Sequence, residues 1–183
     1  MMPFPKKYAE FAARTRVTAG FLVLGAFLWL ARPTGSSLLL GGAVGALGVA
    51  IRAWAAGHLA KNQQLATSGP YAHVRNPLYV GTLVTGIGLA MAGAHVAIGL
   101  ALVGFFLAYY LPVVGEEESH LAKILPGFDE YRRRVPRLWP ALAPRYSGGP
   151  PFRPDLYLRN REYQALLGYL ATMALLFAKY RIG

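Results

Sequence analysis

The sequence contains no cysteine and few acidic residues. Without cysteine there can be no disulfide, thiolate metal site or cysteine nucleophile. Charged residues make up 15% of the 183 positions, below the roughly one quarter found in soluble domains, and 19 of them are basic while 8 are acidic. Hydrophobic residues account for 55% and occur in long runs rather than in a helical stripe. This pattern is typical of an integral membrane protein with one compact domain.

The formal net charge of +11 raises the question of a nucleic-acid partner. The basic residues, however, lie in the segments that flank the apolar runs. Membrane topology and anionic lipid headgroups explain that placement better, so we expect membrane lipids as partners and no nucleic acid. The N-terminus has no apolar core before Val17 and no small-residue cleavage site, which argues against a cleavable signal peptide.

Five apolar segments predict an all-α fold, a polytopic membrane helix bundle with about five transmembrane helices. An N-terminus inside the cell places the loop Gly57–Asn76 and the segment Glu116–Glu162 on one cytoplasmic side, and the distribution of lysine and arginine favours this orientation. We expect the inner membrane of a bacterium. The predicted spans are approximately Val17–Ala31, Ser37–Ala56, Pro77–Ala92, Ala94–Gly115 and Tyr163–Tyr180.

Two further features bear on organisation. Pro3–Arg16 mixes basic and aromatic residues, which fits either an interfacial helix or a basic flank that only sets topology. The second span carries small residues three and four positions apart, a pattern that allows close helix packing. These residues are Gly41, Gly42, Gly45 and Gly48.

The stretch Ser68–Gly81 is short, polar and punctuated by turn signals. Gly69-Pro70 and Asn76-Pro77 bias the chain away from helix, and Pro77 suits the first turn of the next helix. Polar side chains where a membrane helix begins are costly unless something satisfies them, so they mark a candidate site. The side chains concerned are Tyr71, His73, Arg75, Asn76 and Tyr79.

This stretch resembles the first signature of the isoprenylcysteine carboxyl methyltransferase family, and a later stretch resembles the second. The first match consists of Gly69-Pro70-Tyr71, Arg75-Asn76-Pro77, Tyr79 and Gly81. The second consists of Glu117-Glu118, Leu121, Phe128, Tyr131 and Val135-Pro136-Arg137. Phospholipid methyltransferases share a related pattern, with a Gly-x-Gly seen here as Gly86-Ile87-Gly88.

The resemblance covers roughly Arg52–Pro140 and implies a membrane methyltransferase that uses S-adenosylmethionine at the cytoplasmic face. A lipophilic substrate would reach the cofactor from the bilayer. The sequence departs from the family pattern at Asn76, where histidine is usual, and at Asp129, where glycine is common nearby. We therefore expect one domain with an interfacial part (1–16), two spans (17–56), a catalytic core (57–140), a linker (141–162) and a last span (163–183).

The resemblance and the chemistry of the cofactor give candidate residues. Carboxylates suit the ribose diol and ammonium group of the cofactor, and an arginine or free N–H groups suit its carboxylate. The expected cofactor contacts are Gln64, Gly69, Tyr71, His73, Tyr79, Glu117 and Glu118. The expected catalytic residues are Arg75, Asn76 and Arg134. The histidines show no metal-ligand spacing, so no metal site is predicted.

Several alternatives remain open at this stage. Glu117 and Glu118 also fit a solvated acidic surface, and Arg75 also fits a charge that only sets membrane topology. Gly86 and Gly88 fit helix packing better than close approach of the cofactor. A lipophilic carboxylate is favoured as acceptor because it is ionised at neutral pH and needs no base. Phospholipid N-methylation, a nicotinamide-dependent membrane reductase of the sterol-reductase type, and a non-enzymatic scaffold that binds headgroups are the alternatives.

Overall fold

The computed structural model describes residues 6–182, without the side chains at positions 6, 9, 13, 16 and 17. The described residues form helices joined by loops and include no strand, which confirms the predicted all-α fold. The long helices are α1 (Lys6–Leu30), α2 (Gly35–Ala56), α3 (Pro77–Ala92), α4 (Val96–Phe105), α5 (Leu111–Ile124) and α8 (Tyr163–Ile182). The short ones are α6 (Phe128–Arg134), α7 (Pro154–Arg159) and a 3₁₀ turn (Gly69–Ala72).

Three helical segments are long and apolar enough to cross a membrane, namely Gly35–Ala56, Val96–Ile124 and Tyr163–Ile182. Two shorter apolar helices cover Thr18–Leu30 and Pro77–Ala92. These five segments overlap the five predicted spans, and they make the chain an integral membrane protein. That the two shorter helices also cross the membrane stays a prediction.

The N-terminal segment does not form a helix separate from the first apolar segment. Helix α1 runs without a break from Lys6 to Leu30, because no proline lies between Lys6 and Pro33. The predicted interfacial helix therefore continues directly into the first apolar segment. Its first residues, Pro3 to Pro5, lie outside the described part.

The second difference concerns the acidic run after the fourth apolar segment. The helix does not end near Gly115 but continues through the acidic residues to Ile124, since Glu, Leu, Ala and Lys all favour helix. It stops at Pro126-Gly127, where Gly127 has φ 81° and begins α6. The glutamates therefore extend the helix of the fourth apolar segment beyond its predicted end at Gly115.

The helix pair α2–α3 packs backbone against backbone. A Cβ atom built on Gly41 would lie 2.2 Å from the Ala92 amide nitrogen, and one on Gly88 would lie 2.1 Å from the Gly45 nitrogen. Only residues without a Cβ permit this approach. The predicted packing role of the glycines in α2 is confirmed, and Gly88 shares it.

A π-helical turn, Phe106–Tyr110, joins α4 to α5. Pro112 follows it and has no N–H to donate to the carbonyl four residues earlier, that of Ala108. The Tyr8 hydroxyl on α1 donates to this Ala108 oxygen at 2.8 Å. A side chain of the first helix thus satisfies the carbonyl that proline leaves without a donor.

The segment predicted as a linker, 141–162, contains α7 and makes specific contacts. The Arg153 amide donates to the Gly57 carbonyl at 2.9 Å, and the Asn160 side chain donates to the Ala56 and Leu59 carbonyls at 3.0 and 2.9 Å. Glu162 is buried and pairs with Arg52 of α2. These bonds fix the start of α8 against the C-terminal end of α2.

Candidate active site

A cavity of about 480 Å³ lies where the N-terminal end of α3 and the middle of α5 meet the loop 59–66. The 3₁₀ turn and α6 close its other sides. Its volume falls within the roughly 300–1,000 Å³ of small-molecule sites. The apolar part of its wall consists mainly of Leu59, Leu65, Leu78, Val113, Leu121, Leu125 and Phe128. Its polar residues include Lys61, Asn62, Gln64, Tyr71, Arg75, Asn76, Tyr79, Glu116, Glu117 and His120.

The 3₁₀ turn positions Tyr71 at the cavity. Gly69 begins the turn with φ 56°, and a Cβ atom there would lie 2.7 Å from the His58 ring, so glycine is required on both counts. The buried Tyr131 hydroxyl of α6 donates to the Tyr71 carbonyl at 2.8 Å. The turn is therefore held from one side by His58 and from the other by α6.

Glu118 joins the two sequence motifs. One of its oxygens lies 3.1 Å from Arg75 Nε and accepts a hydrogen bond from the Asn76 amide at 2.7 Å. The other oxygen lies 3.2 Å from Arg137 Nε. Arg75 also donates to the Arg132 carbonyl at 2.7 Å. A single carboxylate thus bridges the start of α3 and the segment after α6.

Both N–H groups of the Asn76 side-chain amide are engaged in this network. It donates to Glu118 and, at 3.2 Å, to the Arg137 carbonyl. Both N–H bonds therefore point at protein acceptors, which leaves the side-chain oxygen as the group that Asn76 can offer to a ligand. That oxygen accepts hydrogen bonds but cannot take up a proton.

Glu117 differs from its neighbour. It is exposed, lines the cavity, and makes no hydrogen bond or ion pair with any residue that the structure describes. Glu118, in contrast, is largely buried and fully engaged. Of the two glutamates, Glu117 is the one with a carboxylate available to a ligand.

Burial shifts the ionisation of three groups around the cavity. It raises the pKa of Tyr71, assisted by the nearby Tyr131, Glu162 and Glu117. It also raises the pKa of Tyr131, so both hydroxyls stay protonated at neutral pH. Burial lowers the pKa of Arg75, and the adjacent Glu118 opposes that shift. The tyrosines can act there only as neutral hydrogen-bonding groups.

The structure brings six of the ten predicted site residues to the cavity, and their functional roles stay predictions. The other four lie elsewhere. Gly69 shapes the turn, and the His73 Nδ1 atom lies 2.9 Å from the Ala141 carbonyl. Arg134 pairs with Glu130 at 2.5 Å on the exposed side of α6. The six are Gln64, Tyr71, Arg75, Asn76, Tyr79 and Glu117.

Sequence reasoning left out three residues of the site. Tyr131 and Arg137 belong to the second motif, and their place in it was the available signal. His120 lines the cavity one helical turn after Glu117, a spacing that puts both on one face of α5. Among residues 6–182, no three histidine, cysteine or acidic side chains come together as a metal site would require.

A second cavity, of about 740 Å³, lies between α1, α3 and α4 within the apolar helices. Gly86 lines it and a Cβ atom there would meet nothing within 4 Å. The rings of Tyr79 and Tyr110, 5.7 Å apart, lie between this cavity and the polar one, since each ring lines one of the two. Of the predicted Gly-x-Gly pair, only Gly88 packs against a helix.

Comparison with known proteins identifies one family. The family model described as phospholipid methyltransferase matches residues 43–126. The match contains the turn, the start of α3 and both glutamates, and it ends before α6. No solved structure matches the chain.

Two curated relatives match a similar part of the chain. One is the cobalt-zinc-cadmium resistance protein CzcN of Cupriavidus metallidurans, 38% identical over 59% of this chain and 52% of the relative. The other is the nickel-cobalt-cadmium resistance protein NccN of Alcaligenes xylosoxydans xylosoxydans, 34% identical over 55% of this chain and 50% of the relative. The matched region thus spans about half the length of each relative.

Proposed function

We propose that this chain, whose residues 43–126 match the family model described as phospholipid methyltransferase, binds S-adenosylmethionine in the polar cavity. It transfers the methyl group to a lipophilic acceptor that enters from the bilayer. The cavity faces the cytoplasm. The observation that carries the proposal is that two motifs some forty residues apart line one cavity, with Glu117 free at its wall.

The residues of the cavity fit the cofactor. Its leucines and Phe128 offer apolar surface for the adenine, and Gln64 offers both a donor and an acceptor for a heterocycle edge. Glu117 is placed to accept hydrogen bonds from the ribose diol or the ammonium group. Lys61 is the cationic wall residue without an ion pair in the described structure, and it suits the cofactor carboxylate.

The bound cofactor supplies a methyl group on a sulfonium. We propose a carboxylate as the acceptor. A carboxylate oxygen forms the new bond to the methyl carbon while the carbon–sulfur bond breaks and its electron pair goes to sulfur. The products are a methyl ester and a neutral thioether, and no proton moves. A site with Asn76 at the start of α3 suits such a reaction, because alignment and not proton transfer is what the protein must provide.

Within this proposal Arg75 is the arginine nearest to an acceptor carboxylate. It lines the cavity and is largely buried, whereas Arg134 is 57% exposed and outside the lining. Glu118 already neutralises part of the charge of Arg75. We therefore assign Arg75 to orient the acceptor. The side-chain oxygen of Asn76 restricts the directions from which the acceptor can approach.

A second candidate is N-methylation of a phosphatidylethanolamine headgroup. The description of the matching family favours it, and so does His120, which lines the cavity and can accept the proton that an ammonium must lose. In this alternative the amine nitrogen attacks the methyl carbon after losing a proton to the histidine. The two candidates share the cofactor site and differ in their need for a base.

Calorimetric titration of the purified protein with S-adenosylhomocysteine and with NADPH tests the cofactor. Binding of the first and not of the second is expected, and the reverse would favour a reductase. Incubation with radiolabelled S-adenosylmethionine then distinguishes the acceptors, with a prenylated cysteine acid and a long-chain fatty acid compared with phosphatidylethanolamine. A base-labile methyl ester is the expected product. Label found instead in the headgroup amine would contradict the carboxylate acceptor and support phosphatidylethanolamine.

The orientation is tested by cysteine labelling, which the absence of native cysteine makes simple. Asn62→Cys and Ser147→Cys place thiols at exposed positions beside the cavity and in the long segment before α7. Both are expected to react only with reagents that reach the cytoplasmic side. Labelling of either from the outside would contradict the cytoplasmic site.

A further inference from the structure

Two large apolar side chains outside the helices are almost completely exposed. Trp139 is 85% exposed, and Leu142 is fully exposed. Among the described residues, the other large apolar side chains above 80% belong to α1, α4 and α8, which are apolar helices. Such exposure in a connecting segment is unusual for a surface that meets only water.

The segment that carries them, residues 138–146, is called here the arm, and it is firmly held. The Ala141 amide donates to the His73 carbonyl at 2.9 Å, and the Arg145 amide donates to the Ala72 carbonyl at 2.7 Å. At its end the Tyr146 ring lies 5.8 Å from that of Tyr131 in a buried cluster. The exposure of the two side chains therefore belongs to an ordered backbone and not to a frayed loop.

The arm lies at the level where an apolar helix begins. The Arg75 amide donates to the Pro136 carbonyl at 2.9 Å, and α3 starts two residues later at Pro77. In the predicted topology, in which α3 crosses the membrane, the boundary between water and hydrocarbon falls near the start of that helix, and tryptophan concentrates at such a boundary. Exposed arginines lie on α6 and at the end of the arm, namely Arg132, Arg133, Arg134 and Arg145, and the Arg134 guanidinium lies 5.6 Å from the centre of the Tyr146 ring.

We propose that the arm is a membrane-interface anchor that inserts Trp139 and Leu142 into the headgroup region of an anionic leaflet. The two apolar side chains supply buried area, and the arginines pair with lipid phosphates or carboxylates. Because the backbone of the arm bonds to residues 72 and 73, its seating in the bilayer also fixes the turn that carries Tyr71. The proposed anchor rests on the exposure of the two side chains and on the hydrogen bonds of the arm, and it does not depend on the proposed methyl transfer.

Tryptophan fluorescence in lipid nanodiscs tests the anchor. The double variant Trp29→Phe/Trp54→Phe leaves Trp139 as the single tryptophan of the chain. Lipids brominated along the acyl chain are expected to quench it, with a depth within about 5–10 Å of the headgroup–acyl boundary. Acrylamide in the water is expected to quench it weakly, and the quenching by lipid is expected to be stronger in discs with phosphatidylglycerol than in purely zwitterionic ones.

Two further variants control this result, each made in a chain whose three native tryptophans are replaced by phenylalanine. Leu142→Trp moves the probe along the arm and should also be quenched by brominated lipid. Lys123→Trp places it on the exposed end of α5, about 10 Å beyond Glu116 along the helix, where acrylamide should dominate. Strong acrylamide quenching of Trp139 without quenching by brominated lipid would overturn the anchor and leave the arm as a surface for solvent or for another protein. Equal lipid quenching in both kinds of disc would overturn the role of the arginines.

Discussion

Helix α3 is held at its two ends by contacts of different kinds. Towards its C-terminal end, Gly88 lies against Gly45 of α2, and the atoms that an added methyl group would meet are backbone atoms. At its N-terminal end, Asn76 and the preceding Arg75 are held by the carboxylate of Glu118, and a cavity lies beside them. The contact at Gly88 leaves no room for a side chain, whereas the N-terminal end lies beside unoccupied volume and is held by charged hydrogen bonds.

This difference predicts what each region tolerates. Backbone atoms cannot rotate away from an added side chain, so the α2–α3 contact should be sensitive to volume. The network around Glu118 consists of charged hydrogen bonds, so it should be sensitive to the loss of charge at constant volume. Substitutions that change one property and keep the other test this contrast.

The largest effect is expected for Gly88→Leu. The new side chain would collide with the Gly45 backbone, so the loss of stability should exceed the roughly 1–3 kcal/mol of ordinary overpacking. Thermal unfolding and size-exclusion behaviour in detergent measure it. Gly86→Leu is the matched control, since it lies on the same helix, faces the apolar cavity and should change stability little. Equal losses for both variants would show that the contact with α2 is not the cause.

A smaller but clear loss of stability is expected for Glu118→Gln. The substitution keeps volume and removes the charge that Arg75 and Arg137 share, and charged hydrogen bonds are worth roughly 1.5–3 kcal/mol each. Thermal unfolding without cofactor is the measurement. Glu117→Gln serves as the control because Glu117 has no ion pair among the described residues, and a similar loss there would contradict the division between the two glutamates.

The reverse order is expected for cofactor affinity. Glu117→Gln removes a carboxylate that lines the cavity, and the loss of one charged hydrogen bond should weaken S-adenosylhomocysteine binding about tenfold or more. Calorimetric titration measures the affinity at a temperature where both variants are folded. If affinity is unchanged in Glu117→Gln and strongly reduced in Glu118→Gln, then Glu118 and not Glu117 contacts the cofactor.

The fold could be predicted from sequence because it depends on local patterns. Apolar runs bounded by proline and glycine mark the helices, and the small residues of α2 mark its contact with α3. The two motifs are predicted to lie on one side of the membrane, and residues of both line one cavity. The continuation of α5 through the glutamates was missed because acidic residues read as solvated surface, although they favour helix.

The roles of individual side chains could not be predicted because they depend on which way each residue points. Glu117 and Glu118 are adjacent in sequence, but successive residues of a helix lie about 100° apart, so one faces the cavity and the other faces Arg75 and Arg137. The same holds for the arginine run of α6, where Arg132 offers its carbonyl to Arg75 while Arg134 points its side chain to Glu130. Motif membership alone does not contain that information.

The smallest effect is expected for Arg134→Ala, which tests the one sequence-based catalytic candidate that lies away from the cavity. Arg134 pairs with Glu130 on an exposed helix face and stacks over the Tyr146 ring at 5.6 Å. An exposed i,i+4 pair is worth about 0.3–0.5 kcal/mol and an exposed cation–π contact about 0.5–1 kcal/mol, so stability should fall by about 1 kcal/mol. Cofactor affinity should not change.

Turnover with a lipophilic acid decides whether Arg134 acts on the acceptor. Because Arg75 lines the cavity and Arg134 does not, turnover should fall much more in Arg75→Lys than in Arg134→Lys, each of which keeps the charge but loses the planar guanidinium. If Arg134→Ala instead abolishes turnover at unchanged cofactor affinity, and Arg134→Lys restores part of it, the acceptor must reach the outer side of α6. The acceptor site would then lie between α6 and the arm, where Tyr146 and Arg134 meet.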